Sequence, residues 1–135
     1  MKVSFSTPLA ASPDSSDHEV CGLLLGRRGS DVAHVDALFS TPNRARRPAR
    51  AFAIGPQDFL AARHAAASAE LEVVGVFHSH PHGTARPSAR DAAFAALWPG
   101  LLWVIRGADA GLAAFRFDPS AGGWLGVPVV SSATP

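Results

Sequence analysis

The chain has a single cysteine, Cys21, among its 135 residues. That excludes an internal disulfide and any zinc cage built from thiolates, and it suits a reducing, cytoplasmic compartment. Net charge is nearly absent: 12 Lys and Arg against 11 Asp and Glu leave +1. A protein that binds nucleic acid or a membrane over its whole surface needs many unbalanced cations, so neither is an expected partner. No apolar run approaches the roughly eighteen residues of a membrane span, and residues 1–6 lead into no signal-like apolar core. Internal repeats are missing too. There is no His-Glu-x-x-His, which sets aside thermolysin-like peptidases, and no Pro-Cys-x-x-Cys, which sets aside zinc-dependent nucleoside deaminases.

What is present is enough for a core. Hydrophobic residues make up 47% and charged residues 17%, and a chain of this size buries about two-thirds of its unfolded surface. Residues 1–135 are expected to form one domain, with the core at about 17–130 and a mobile tail at 131–135. Residues 2–6 read as a short strand and residues 7–17, rich in Pro, Ser and Asp, as a loop with at most a short helix. Residues 20–25 and 32–39 read as a hairpin about Gly29-Ser30-Asp31, and residues 52–54 as a brief strand. Pro56 opens a helix to about Ala69, and a second helix runs from Ser88 to Pro99-Gly100. Residues 73–77, 101–105, 112–117 and 124–130 complete the strands, the last three as consecutive hairpins. The fold class is α/β: a mixed, largely antiparallel sheet packed with helices.

The most informative stretch is residues 73–91. The run Val73 to Phe77 is apolar and β-branched, and Pro81 stops the strand after His78-Ser79-His80. Side chains at i and i+2 on a strand share a face, so two imidazoles can converge on one ion. A third donor follows in Asp91, in the first turn of the second helix. Two His and one carboxylate leave a fourth position for water, the open arrangement of a catalytic zinc. Ser88-Ala89-Arg90-Asp91 also fits a capping box, in which serine and aspartate satisfy amides at a helix start. His82 is a rival ligand, were the strand to continue past Pro81.

His78-Ser79-His80-Pro81, then Pro87-Ser88 and Asp91, resembles the signature of the JAMM (MPN-plus) metalloproteases, and Glu19 in Glu19-Val20-Cys21-Gly22 matches that family's upstream glutamate. The resemblance covers roughly residues 17–118. It implies a curved, deaminase-like sandwich, one zinc held by His78, His80 and Asp91, Glu19 as the proton carrier and Ser88 as a donor to the developing oxyanion. It implies as partner a ubiquitin-like or sulfur-carrier protein with a C-terminal Gly-Gly tail. The alternative is an inactive MPN-type scaffold, although every expected site position is filled.

Other candidates have plainer readings. Cys21 is a small buried hydrophobe, and His18, His34 and His64 are packed or surface residues. Arg44, Arg46, Arg47 and Arg50 form a solvated loop, or else a patch that meets an acidic partner.

Overall fold

Strand β4 (Glu72–Ser79) is the axis of the protein, and every residue from Val74 to Ser79 is buried. It pairs antiparallel with β2 (Cys21–Arg28) and parallel with β5 (Leu102–Arg106). A parallel neighbour requires a crossover connection. Residues 80–88 and helix α2 (Ala89–Ala95) supply it, so α2 begins near the carboxyl end of β4. Gly75 permits the close approach of β5, since a Cβ there would lie 2.7 Å from the Leu102 carbonyl oxygen.

The remaining strands are β1 (Lys2–Phe5), β3 (Val32–Thr41), β6 (Leu112–Asp118), β7 (Gly123–Val127) and β8 (Val129–Ser131). This computed structural model describes residues 1–6, 18–109 and 111–131, so the loop expected at 7–17 and the last tail residues lie outside the described residues. The eight strands form one sheet in the order β7-β6-β5-β4-β2-β3-β1-β8. Only Pro128 separates β7 from β8, yet they occupy opposite edges of that order. The sheet must therefore curl until its edges meet, in a nearly barrel-like form. Proline lacks the N–H that a ladder needs, which is why the strand expected over 124–130 breaks there; the Pro128 carbonyl instead accepts from Val3 N at 3.0 Å.

Two apolar clusters hold this arrangement. Val3, Val35, Val74, Phe77 and Val104 form one, and Leu23, Val76 and Trp103 form the other with Ala62 and Ala66 of helix α1 (Pro56–Ser68). Three expectations need correction. Residues 52–54 are not a strand: Ala53 N bonds to the Asn43 side chain at 3.1 Å rather than to a neighbouring strand. The second helix ends at Ala95, with turns carrying the chain on to Gly100, and Ser131 belongs to β8 rather than to the tail.

Candidate metal centre

The site grows out of the β2–β4 pairing. Cys21 stands opposite His78. Beyond it, Ser79 N donates to Val20 O at 3.0 Å and Ser79 Oγ accepts from Val20 N at 2.9 Å, which brings Glu19 alongside His80. The regular strand ends at Ser79, but His80 N still donates to the Arg106 carbonyl at 2.8 Å, so His80 remains anchored to β5. His80 Nδ1 lies 2.8 Å from the Thr84 carbonyl, which fixes the ring with Nε2 turned inward.

On the other side stands α2. Ser88 Oγ accepts from Asp91 N at 3.2 Å, and an Asp91 carboxylate oxygen accepts from Ser88 N at 2.7 Å. The capping box therefore forms, and its aspartate also faces the histidines. Asp91 Oδ1 is 3.3 Å from His78 Nε2, and Asp91 Oδ2 is 3.5 Å from His80 Nε2. The two Nε2 atoms are 3.0 Å apart. Donors bound at about 2.0–2.1 Å to one tetrahedral ion are separated by ~3.3 Å, so the spacing of these three side chains suits a small divalent cation. Glu19, His78 and His80 likewise offer ligand atoms all within 4.8 Å of one another, a group able to hold a metal.

Burial sharpens the point. His78 is fully buried, and Glu19 and Asp91 are nearly so. Burial pushes the His78 pKa down against the pull of Asp91. Hydrogen bonding to Asp91 holds the His80 pKa up. Burial alone would raise the Asp91 pKa, but the contacts with His78 and His80 overcome it and hold the carboxyl well below its usual range. Burial, reinforced by Asp91 and opposed by His80 and Arg90, pushes Glu19 up to about 7.

Three features here escaped the sequence reading. The Phe52 ring stacks on His78 with centroids 4.3 Å apart, and His78 Nδ1 has no hydrogen-bond partner, so packing holds that edge of the imidazole while Asp91 faces the other. Asn43 donates to the carbonyls of Glu19 and Ala51, both at 2.9 Å, and accepts from Ala45 N and Ala53 N, tying Glu19 to the loop. Within the arginine cluster, Arg44 pairs with Asp58 at 2.6 Å, while Arg50 lines a cavity of about 110 Å³ with Glu19, Phe52, Ser88, Arg90 and Asp91. An asparagine in a proline-flanked loop was the only available hint. His82 and His64 are exposed, and Cys21 is buried with its thiol 3.5 Å from Thr41 Oγ1. A larger groove, about 490 Å³, lies at the opposite end of β4 beside Glu72, Phe59 and Trp98. It holds no comparable convergence of titratable groups.

A curved mixed sheet that gathers two imidazoles and two carboxylates beside a cavity defines a centre able to bind a metal. The chain belongs to the prokaryotic JAB family, hydrolases of JAMM type: residues 5–118 match the family model described as prokaryotic homologs of the JAB domain. It is 36% identical over 99 residues to a desampylase of Haloferax volcanii, a match covering 73% of this chain and 69% of that protein. A desampylase of Pyrococcus furiosus is 36% identical over 91 residues, covering 67% of this chain and 61% of the relative. Among solved structures, a Desulfitobacterium hafniense protein has a TM-score of 0.83 at 26% identity, covering 98% of this chain and 94% of its own. A Salinibacter ruber protein has a TM-score of 0.65 at 31% identity, with 100% and 95% covered. Among the described residues no helix is long and apolar enough to cross a membrane.

Proposed function

We propose that this protein is a zinc-dependent hydrolase that cuts a peptide or isopeptide bond at the C-terminal Gly-Gly tail of a ubiquitin-like or sulfur-carrier protein. The observation that carries the reading is the convergence of His78 Nε2, His80 Nε2 and the Asp91 carboxylate, at 3.0 to 3.5 Å, on one point. Two imidazole nitrogens that close cannot both carry protons facing each other, and a buried aspartate that faces them suits a cation. His78, His80 and Asp91 would hold the zinc, which when bound supplies Lewis acidity and lowers the pKa of water to about 7.

The chain's own groups do the rest. Glu19, buried and titrating near neutrality, takes a proton from the attacking water and returns it to the leaving amine, as a general base and then acid must. Ser88 uses only its acceptor lone pair in the helix cap. Its hydroxyl proton is left to donate to the oxygen on which charge develops.

Glu19→Gln tests the assignment. The variant should keep one zinc by native mass spectrometry and lose about 10²–10⁴-fold in kcat on a Gly-Gly-linked fusion, the usual worth of a positioned proton carrier. Below pH 7 a protonated Glu19 cannot act as base, so kcat/KM of the wild type should rise with pH along an acid limb at or below about 7, since a nearby cation lowers a carboxyl pKa. That limb should be missing in the residual activity of Glu19→Gln. Undiminished turnover in the variant would remove Glu19 from the mechanism, and a wild-type chain that takes up no zinc would favour the scaffold reading.

A further inference from the structure

His80 is held twice, once by its backbone and once by its ring. Its N–H donates to the Arg106 carbonyl at the end of β5, and its Nδ1 faces the Thr84 carbonyl at 2.8 Å. A carbonyl has no proton to give, so in the neutral ring the hydrogen sits on Nδ1. The lone pair is left on Nε2, the atom turned towards His78 and Asp91. A ligand histidine commonly has such a partner, which fixes both its tautomer and the direction of the ring. Here the partner belongs to a loop. Residues 80–88 contain neither strand nor helix before α2, and His82, Gly83 and Thr84 are exposed.

The turn between β5 and β6 steadies that loop. Ala108 N donates to the Gly83 carbonyl at 2.8 Å, one residue before Thr84. Gly107 is buried against the next peptide: a Cβ placed there would lie 2.8 Å from Ala85 N and 3.1 Å from the Thr84 carbonyl carbon. Both atoms belong to the one peptide unit whose oxygen meets His80. A methyl group at position 107 can therefore be accommodated only by moving backbone. The turn is itself braced, by Gly107 N to the Gly111 carbonyl at 2.9 Å and by Gly111 N to Asp109 Oδ1 at 2.8 Å. A hydrogen bond weakens steeply as its geometry departs from ideal, so a small displacement of Thr84 is felt at the imidazole.

We infer that Gly107 is a positioning residue for the metal ligand His80. The space left by its missing side chain, together with the Ala108 bond to Gly83, seats the Thr84 carbonyl that sets the tautomer and direction of the ring. The inference rests on the metal centre of the function proposed above. It extends that centre to a turn on the far side of α2 and β5 in the sequence.

Zinc affinity of the purified chain, measured by competition with a chromophoric chelator, tests this role without recourse to turnover. Gly107→Ala should weaken zinc binding about 10–100-fold, the usual cost of disturbing the partner behind a ligand. Gly111→Ala is the control. It crowds the same turn, but its Cβ would press on the Asp109 carboxylate, at 2.9 Å, and zinc affinity should stay that of the wild type. Ala108→Pro removes the donor to Gly83 without adding bulk at position 107, and should also weaken binding. It carries the test if Gly107→Ala does not fold. In the zinc-saturated proteins the His80 Nδ1 proton should move upfield in both of these variants, as a proton does on leaving a hydrogen bond; a loss of global stability does not produce that shift. Wild-type affinity in both, an unmoved Nδ1 proton, or an equal loss in Gly111→Ala would overturn the role of Gly107 and leave the metal centre standing. A wild-type chain that binds no zinc would overturn the metal centre and this inference with it.

Discussion

Two histidine clusters in this protein use the same residue types to opposite ends. On β1 and β3, His34 Nδ1 lies 2.6 Å from Ser4 Oγ, and His34 Nε2 lies 3.2 Å from Asp36 Oδ1. Both ring nitrogens have partners, so the imidazole is a tie between two strands. At the end of β4, His78 and His80 instead point their Nε2 atoms at each other across 3.0 Å, with Asp91 facing both. Serine, histidine and aspartate in contact do not make a site. What marks the second cluster is that its donors converge on one point and that a cavity opens beside them.

The sharpest way to break this contrast is to remove the carboxylate. Asp91→Ala should abolish stoichiometric zinc binding in native mass spectrometry and with it all measurable cleavage. A conserved count of one zinc per chain would mean that Glu19, His78 and His80, which also lie within 4.8 Å of one another, hold the metal without Asp91. The capping box would be lost as well, at a cost of about 1 kcal/mol, and thermal melting of the metal-free proteins would measure that part separately.

A smaller effect is expected one step out, at Asn43. Its side chain serves two carbonyls and two amides, including the Glu19 carbonyl. Asn43→Ala leaves those partly buried groups without partners, which should cost about 1–3 kcal/mol of stability. Turnover should fall while zinc stoichiometry is kept, because His78, His80 and Asp91 are positioned by other elements. Loss of zinc in this variant would show that the loop supports the whole centre rather than Glu19.

How much of this the sequence carried depends on whether an interaction is local. His78 and His80 were legible because a strand's period puts i and i+2 on one face and a proline follows. Ser88 and Asp91 were legible because a capping box is a four-residue pattern. The strand and helix order came out largely as expected for the same reason. Glu19 could be singled out by resemblance, but its contact with His80 depends on β2 pairing with β4, strands separated by more than forty positions. Phe52 was not legible at all, and Asn43 only as an asparagine in a proline-flanked loop. The loop that holds them has no period, and Phe52 in the company of Ala53 and Ile54 looks like a strand. Its ring lies instead against His78. Pro128 was visible as a breaker, yet only the curled sheet shows that β8 crosses to the far edge and pairs with β1.

The mildest substitution tests the other half of the comparison. His34→Asn removes the ring that joins Ser4 to Asp36. Ser4 is 6% exposed, so its hydroxyl loses a partner with little water to replace it, and β1 loses one side-chain tie to β3. The four backbone register pairs between β1 and β3, from Lys2 with Val32 to Phe5 with Val35, remain. A single part-buried hydrogen bond is worth about 1 kcal/mol, and the partly exposed contact with Asp36 adds less. Chemical denaturation should therefore show a loss on the order of 1 kcal/mol, with zinc stoichiometry and cleavage equal to the wild type. Loss of metal or activity would mean that the two clusters are coupled through the sheet, and that a histidine with both nitrogens partnered is no guide to a purely structural role.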